Sequence, residues 1–101
     1  MWLIVQFDLP VQTGRDVKAY RVFRSNLFRL GFSMLQKSVY MRYEKNDSTA
    51  LITQNAVVEN IPKNGRVSIL RISDISMSNS LFYSDRYLEH SPHPPSCLMV
   101  C

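Results

Sequence analysis

Between Phe32 and Tyr43 the apolar residues change phase. Phe32 and Met34 fall on even positions, whereas Val39, Met41 and Tyr43 fall on odd ones. Side chains alternate along a strand with a period of two, so one uninterrupted strand would turn one of these sets to solvent. The phase change requires a bulge or a tight reversal near Gln36-Lys37-Ser38. Two short antiparallel strands with a very tight connection meet that requirement. A β-hairpin in mid-chain then limits what can stand on either side of it.

Upstream, residues 1–7 form a short, apolar, β-prone run, and Pro10 forbids its continuation as a central strand. Thr13-Gly14-Arg15-Asp16 is an approximate capping box that starts a helix. Val17, Tyr20, Phe23 or Arg24, Leu27, Phe28 and Leu30 recur at helical spacing, and Gly31 is a natural stop. Downstream, Asn46-Asp47-Ser48 marks a turn and a second N-cap, with helix to about Ile61 before Pro62. Asn64-Gly65 then turns into a further apolar stretch at residues 67–72.

Strand, helix, strand, strand, helix, strand is the split-βαβ order, an α+β, ferredoxin-like βαββαβ arrangement with an antiparallel sheet. Both helices would cover one face and leave the other open. An open apolar face must be covered, and a second copy of the chain is the simplest cover, so a homodimer is expected. Residues 1–75 form this core. Residues 76–101 supply a C-terminal edge strand at Leu81-Phe82-Tyr83, able to pair with a neighbouring subunit, and a Pro-rich tail. Ser91-Pro92-His93-Pro94-Pro95 excludes regular helix or sheet there.

A chain of 101 residues is one domain, and 46% hydrophobic content argues against disorder throughout. Twelve Lys+Arg against eight Asp+Glu give a net charge of +4, which suits a polyanionic partner. No secretory or membrane segment is visible, because the apolar start lacks a basic flank and reaches Asp8 too soon. Cys97 and Cys101 stand too near the end to staple the core, which fits a reducing cytosol and a cytoplasmic protein.

Asp8 sits where the first strand hands over to a loop. One reading is a loop cap through backbone hydrogen bonds. The other needs a second copy of the chain, whose own Asp8 would complete a pair of carboxylates suited to Mg²⁺ or Mn²⁺. Arg15, Lys18, Arg21 and Arg24, followed by Arg29, give the first helix a basic outer half. Such side chains contact phosphates without reading sequence, or simply form a solvated face. Arg42, Lys45, Lys63 and Arg66 extend the patch in directions the sequence leaves open. Tyr20, Tyr40 and Tyr43 are assigned to packing or an interface, since the aromatic sheet motif of RNA-recognition domains is absent. His90, His93, Cys97 and Cys101 have the chemistry of zinc ligands, but three interspersed prolines favour a disordered or partner-dependent tail.

Phe7-Asp8-Leu9-Pro10, Tyr20-Arg21-Val22-Phe23-Arg24 with Leu27, Gly31-Phe32, and Gln36 with Ser38-Val39-Tyr40 follow one another in a set order and spacing. Gly65-Arg66-Val67 and Ile72-Ser73-Asp74 continue the series. Together these segments resemble the CRISPR-associated Cas-two family, the small partner of the spacer-acquisition integrase in antiviral defence, and the likeness covers residues 1–75. The resemblance implies a ferredoxin-like homodimer whose two Asp8 side chains face one another across the two-fold axis and hold a divalent cation. It implies that the dimer bridges the CRISPR integrase on spacer-precursor DNA, and that Asp8 is the catalytic residue of a metal-dependent endonuclease on RNA or DNA, as attributed to some members. The alternative is a stand-alone, toxin-type ribonuclease on the same fold. Residues 90–101 resemble nothing in the family, which leaves integrase docking open.

Overall fold

The computed structural model describes residues 1–95. The phase change resolves into both of its allowed solutions at once. Ser33–Gln36 (β2) and Val39–Tyr43 (β3) form an antiparallel hairpin joined by Lys37 and Ser38 alone. The pairing also shifts register between Met34 and Gln36, a bulge within the same hairpin.

Trp2–Asp8 forms β1 and Arg66–Ile72 forms β4. The sheet order is β2-β3-β1-β4, antiparallel throughout, so β1 is an inner strand. Its odd residues Leu3, Val5 and Phe7 enter the main core with Phe23, Leu27, Tyr40, Ala50 and Val57. Its even residues therefore face the other side of the sheet.

Helix α1, Gly14–Arg29, starts as the capping box requires. Thr13 Oγ accepts from the Asp16 N–H, and the Asp16 carboxylate accepts from the Thr13 N–H. It ends at Gly31, whose φ of 86° few other residues would adopt. There the Phe32 N–H bonds the Leu27 carbonyl and the Gly31 N–H bonds that of Phe28, while Phe32 and Leu27 share the core. Helix α2, Asp47–Glu59, is capped by the Asn46 side chain, which accepts from the Thr49 N–H at 2.9 Å.

Three features beyond β4 differ from expectation. A short helix α3, Asp74–Asn79, follows the Ser73 cap. Phe82–Ser84 (β5) pairs with Tyr87–Glu89 (β6) in a separate two-stranded sheet, so the expected edge strand is used within its own hairpin. The second sheet face is also half covered, because Met77 of α3 and Phe82 of β5 pack against Trp2 and Ile4. The physical reason is local: the start of β1 carries large apolar side chains on this face, and the chain folds its own continuation over them. The end of β1 carries Gln6 and Asp8 there, which need no apolar cover. The described part of the tail, His90 to Pro95, has no regular structure.

Candidate nucleic-acid interface at the end of β1

Phe7 anchors the strand end that carries Asp8. Its ring stacks on Tyr40 at 5.7 Å and meets Phe23 and Tyr20 edge-on at 5.1 and 5.7 Å. Its N–H donates to the Ser38 carbonyl at 3.0 Å. The neighbouring Asp8 side chain, on the opposite face, is exposed and forms no ion pair among the described residues. A carboxylate held this way is rigid at its root and free at its tip.

Gly65 approaches the same spot from the α2–β4 turn. At φ 98° a Cβ there would stand 2.7 Å from the Asp8 carbonyl oxygen and 2.7 Å from Leu9 Cδ2. The turn can lie this close to the strand end only because position 65 lacks a side chain. Arg66 then starts β4 directly opposite Asp8 in the ladder.

Two hollows meet at Asp8. One, about 360 Å³, opens on the uncovered sheet face and is lined by Gln6, Lys37, Ser38, Arg66 and Ser68 with Asp8. The other, about 670 Å³, opens on the helix side and is lined by Val11, Tyr20, Arg24, Met34, Lys37 and Ser38 with Asp8. Arg24 is steadied by Phe28, one helical turn on, with its guanidinium 5.6 Å from the ring centroid. One exposed carboxylate thus stands among three cationic side chains, Arg24, Lys37 and Arg66. Such a crevice attracts phosphates and offers the carboxylate for metal or water.

Residues 1–80 match the family described as CRISPR associated protein Cas2. The chain belongs to that family. It is 33% identical over 100 residues to the CRISPR-associated endoribonuclease Cas2 of Parvibaculum lavamentivorans, covering 99% of each chain. It is 40% identical over 74 residues to the protein of the same name from Ligilactobacillus salivarius, 73% of each chain. A third, from Flavobacterium psychrophilum, is 31% identical over 90 residues, 88% of this chain and 78% of its own.

Set on this Cas2-family fold, the basic residues of α1 do not converge. A helix advances 3.6 residues per turn, so steps of three fall back by about 60° each. Arg24 lines the hollow beside Asp8, whereas Arg15 and Lys18 line another with Asn60 and Pro62. Arg21 is exposed between these directions. Arg42 is turned inward: its guanidinium donates to the Leu30 carbonyl, and its Nε stands 2.8 Å from Glu44 Oε1. Lys37 is not singled out by the sequence pattern, because only strand register brings its turn beside Asp8.

The donor set fits a hard cation as half of a site. Among the described residues, no three His, Cys, Asp or Glu side chains come together. Asp8 is joined on the crevice wall by Gln6 and Ser68, an amide and a hydroxyl. These are oxygen donors suited to Mg²⁺ or Mn²⁺, which take one or two carboxylates and keep several waters. Lys37 and Arg66 oppose a cation on the same wall, so a second carboxylate is needed to favour it. His90 and His93 line a cleft of about 620 Å³ with Trp2, Leu35 and Met41. Cys97 and Cys101 lie outside the described residues. Among the described residues, no helix is long and apolar enough to cross a membrane.

Proposed function

We propose that this chain is a CRISPR adaptation protein. Two copies pair and bridge the spacer integrase on precursor DNA, and Asp8 forms a Mg²⁺- or Mn²⁺-dependent endonuclease site. Membership of the Cas2 family and the endoribonuclease name of its relatives support the CRISPR role and the nuclease chemistry. The observation that carries the reading is the exposed Asp8 carboxylate at the meeting of two hollows walled by Arg24, Lys37 and Arg66. Pairing is supported by the uncovered end of the sheet face, where Gln6, Asp8, Arg66 and Ser68 are exposed and Leu70, opposite Ile4 at its border, is still 40% exposed. A two-fold axis there sets one Asp8 near the other.

Phosphodiester hydrolysis forms a bond from a water oxygen to phosphorus and breaks the bond to the departing oxygen. The water loses one proton and the departing oxygen gains one. Asp8 orients the water by accepting its hydrogen bond and takes its proton as the oxygen attacks, and the departing oxygen takes its proton from solvent. Arg24 and Arg66 draw the strand across the crevice by contacting phosphates on either side. A bound Mg²⁺ supplies a more acidic water and stabilises charge on the phosphoryl oxygens.

Asp8→Asn keeps the size and removes the charge. Cleavage of RNA or DNA in Mg²⁺ or Mn²⁺ should fall by about 100-fold or more, the least that a positioned acid–base group contributes. Dimerisation by light scattering, and spacer integration with the cognate integrase, should persist. Undiminished cleavage by the purified variant excludes the site. A wild-type monomer at micromolar concentration excludes the paired-carboxylate arrangement. Loss of integration by a variant that still dimerises shows that acquisition itself uses the carboxylate. Cleavage by a wild-type protein that does not support integration favours the stand-alone ribonuclease.

A further inference from the structure

The β2–β3 turn carries more constraint than a solvent-exposed connection needs. Ser38 sits at φ 62°, in the left-handed region where glycine or asparagine is the easy occupant of such a turn. Keeping a serine there keeps a hydroxyl, and that hydroxyl is used: Ser38 Oγ lies 3.3 Å from the Tyr20 hydroxyl. The Ser38 carbonyl accepts from the Phe7 N–H. The turn is thus tied to α1 through its side chain and to β1 through its backbone, one residue before Asp8. The bulge between Met34 and Gln36 adjusts the approach of β2 to the same turn. Bulges are often found where a side chain must be re-aimed, and strained backbone persists where the surroundings over-determine it.

The side chain so placed is Lys37. Of the three cations around Asp8, Arg24 borders only the helix-side hollow and Arg66 only the sheet-face hollow, whereas Lys37 borders both. It is exposed and forms no ion pair among the described residues. A nucleic-acid strand passing from one hollow to the other must cross the ridge made by Asp8, Lys37 and Ser38. The phosphate on that ridge meets one carboxylate and one ammonium. Like charge keeps a phosphate away from Asp8 unless a cation stands beside it.

The geometry points to Lys37 as the residue that seats the phosphate at the Asp8 site, its ammonium taking a non-bridging oxygen of a single strand's phosphodiester, with Ser38 as the residue that positions it. This rests on the nuclease reading of Asp8. Arg24 and Arg66 hold the neighbouring phosphates, one in each hollow. Lysine suits the central place because a compact ammonium can follow an oxygen as its charge grows, whereas a guanidinium fork fixes a planar pair.

The test uses the full chain with a labelled 20-nucleotide single-stranded RNA and its DNA counterpart. Binding is measured in EDTA as a function of salt, and cleavage separately in Mg²⁺ or Mn²⁺. Lys37→Ala should lower the log–log salt slope by about 0.7, the value for one phosphate contact on a single strand. It should lower kcat/KM by about ten- to a hundred-fold, the range of a lost hydrogen bond to a charged group. Lys37→Arg should restore the slope and only part of the rate. Ser38→Gly relieves the backbone and should not destabilise the fold, yet should lose slope and rate as Lys37→Ala does. Unchanged slope and rate in Lys37→Ala overturn the assignment, and so does full activity in Ser38→Gly for its positioning part. If Asp8→Asn cleaves normally, or the wild type does not cleave, the nuclease reading falls and the EDTA slope alone decides Lys37. A lost contact then upholds the phosphate seat, and an unchanged slope overturns it.

Discussion

A methyl group at position 65 would have nowhere to go. It would stand 2.7 Å from the Asp8 carbonyl oxygen and from Leu9 Cδ2, on a backbone already at φ 98°. The left-handed conformation alone costs a non-glycine residue about 1–3 kcal/mol. The Asp8 carbonyl is main chain with no rotamer to yield, so the strand end or the turn must move. Gly65→Ala is therefore expected to lower the unfolding midpoint by at least about 4 °C, given about 4–8 °C per kcal/mol for a domain of this size. Nuclease activity should fall further than stability explains, because a misplacement of about 1 Å can cost about 100-fold. Differential scanning calorimetry beside a cleavage assay checks both, and an alanine variant with wild-type midpoint and activity contradicts the close approach. The sequence marks Asn64-Gly65 as a turn but not as the support of Asp8. That role depends on two segments 57 positions apart in chain order meeting in space. Asp8 itself is legible, since Pro10 stops the strand beside it.

At the scale of elements, the helix caps are the most readable features, because each is written in residues a few positions apart. Thr13 with Asp16, Asn46 with Thr49, and Gly31 after Leu30 all act locally. Helix α3 is not readable this way. It has six residues, Met77 is its one buried side chain, and its serines read as loop. The β5–β6 hairpin is equally hidden, since β6 is exposed along its length and leaves no alternation of apolar and polar positions. The basic stripe of α1 falls between these cases: its residues are legible and its winding follows from helical geometry, but which end faces Asp8 does not. That difference is testable. Arg24→Glu places a repelling charge in the hollow beside Asp8, whereas Arg15→Glu places it in the hollow with Asn60 and Pro62. Each loses up to about 0.9 in the duplex-DNA salt slope if it contacts a phosphate. Arg24→Glu should also depress cleavage, and Arg15→Glu should leave the cleavage rate at saturating substrate unchanged. Equal loss of that rate in the two variants would mean that the substrate path follows the whole helix rather than the Asp8 end.

On the scale of the whole molecule, the sheet face is divided between an end covered by the chain itself and an end left open, and one cluster fastens the covered end. The Met1 amine lies 3.0 Å from Asp74 Oδ1 and donates to the Glu44 carbonyl at 3.1 Å, while the Tyr43 hydroxyl donates to Asp74 Oδ2 at 3.0 Å. These bonds join the start of β1, the end of β3 and the first turn of α3, whose Met77 lies over Trp2 and Ile4. The hydrogen bond from the amine, with that from Tyr43, holds the Asp74 carboxyl below its ordinary value despite slight desolvation. The bond to Asp74, with minor desolvation and its negative charge, raises the Tyr43 phenol. A depressed carboxyl contributes stability above its unfolded value of about 3.9 and loses it as pH falls through the lower folded value. A raised phenol contributes below its unfolded value of about 10 and loses that as pH climbs through the higher folded value. The cluster therefore holds the cap of α3 between those limits and releases it on both sides. Asp74→Asn removes the ion pair and the charged acceptor together, so its unfolding midpoint should lie below the wild type's across that window. The two curves should converge below the folded value of Asp74, and above that of Tyr43 the wild type should fall below the variant, because its phenolate then faces the Asp74 carboxylate. Both groups are exposed, so the separation should be modest and should narrow further in salt. Midpoints recorded from strongly acidic to strongly alkaline pH decide it. Parallel curves throughout would mean that α3 is held over β1 by Met77 and Phe82 packing alone.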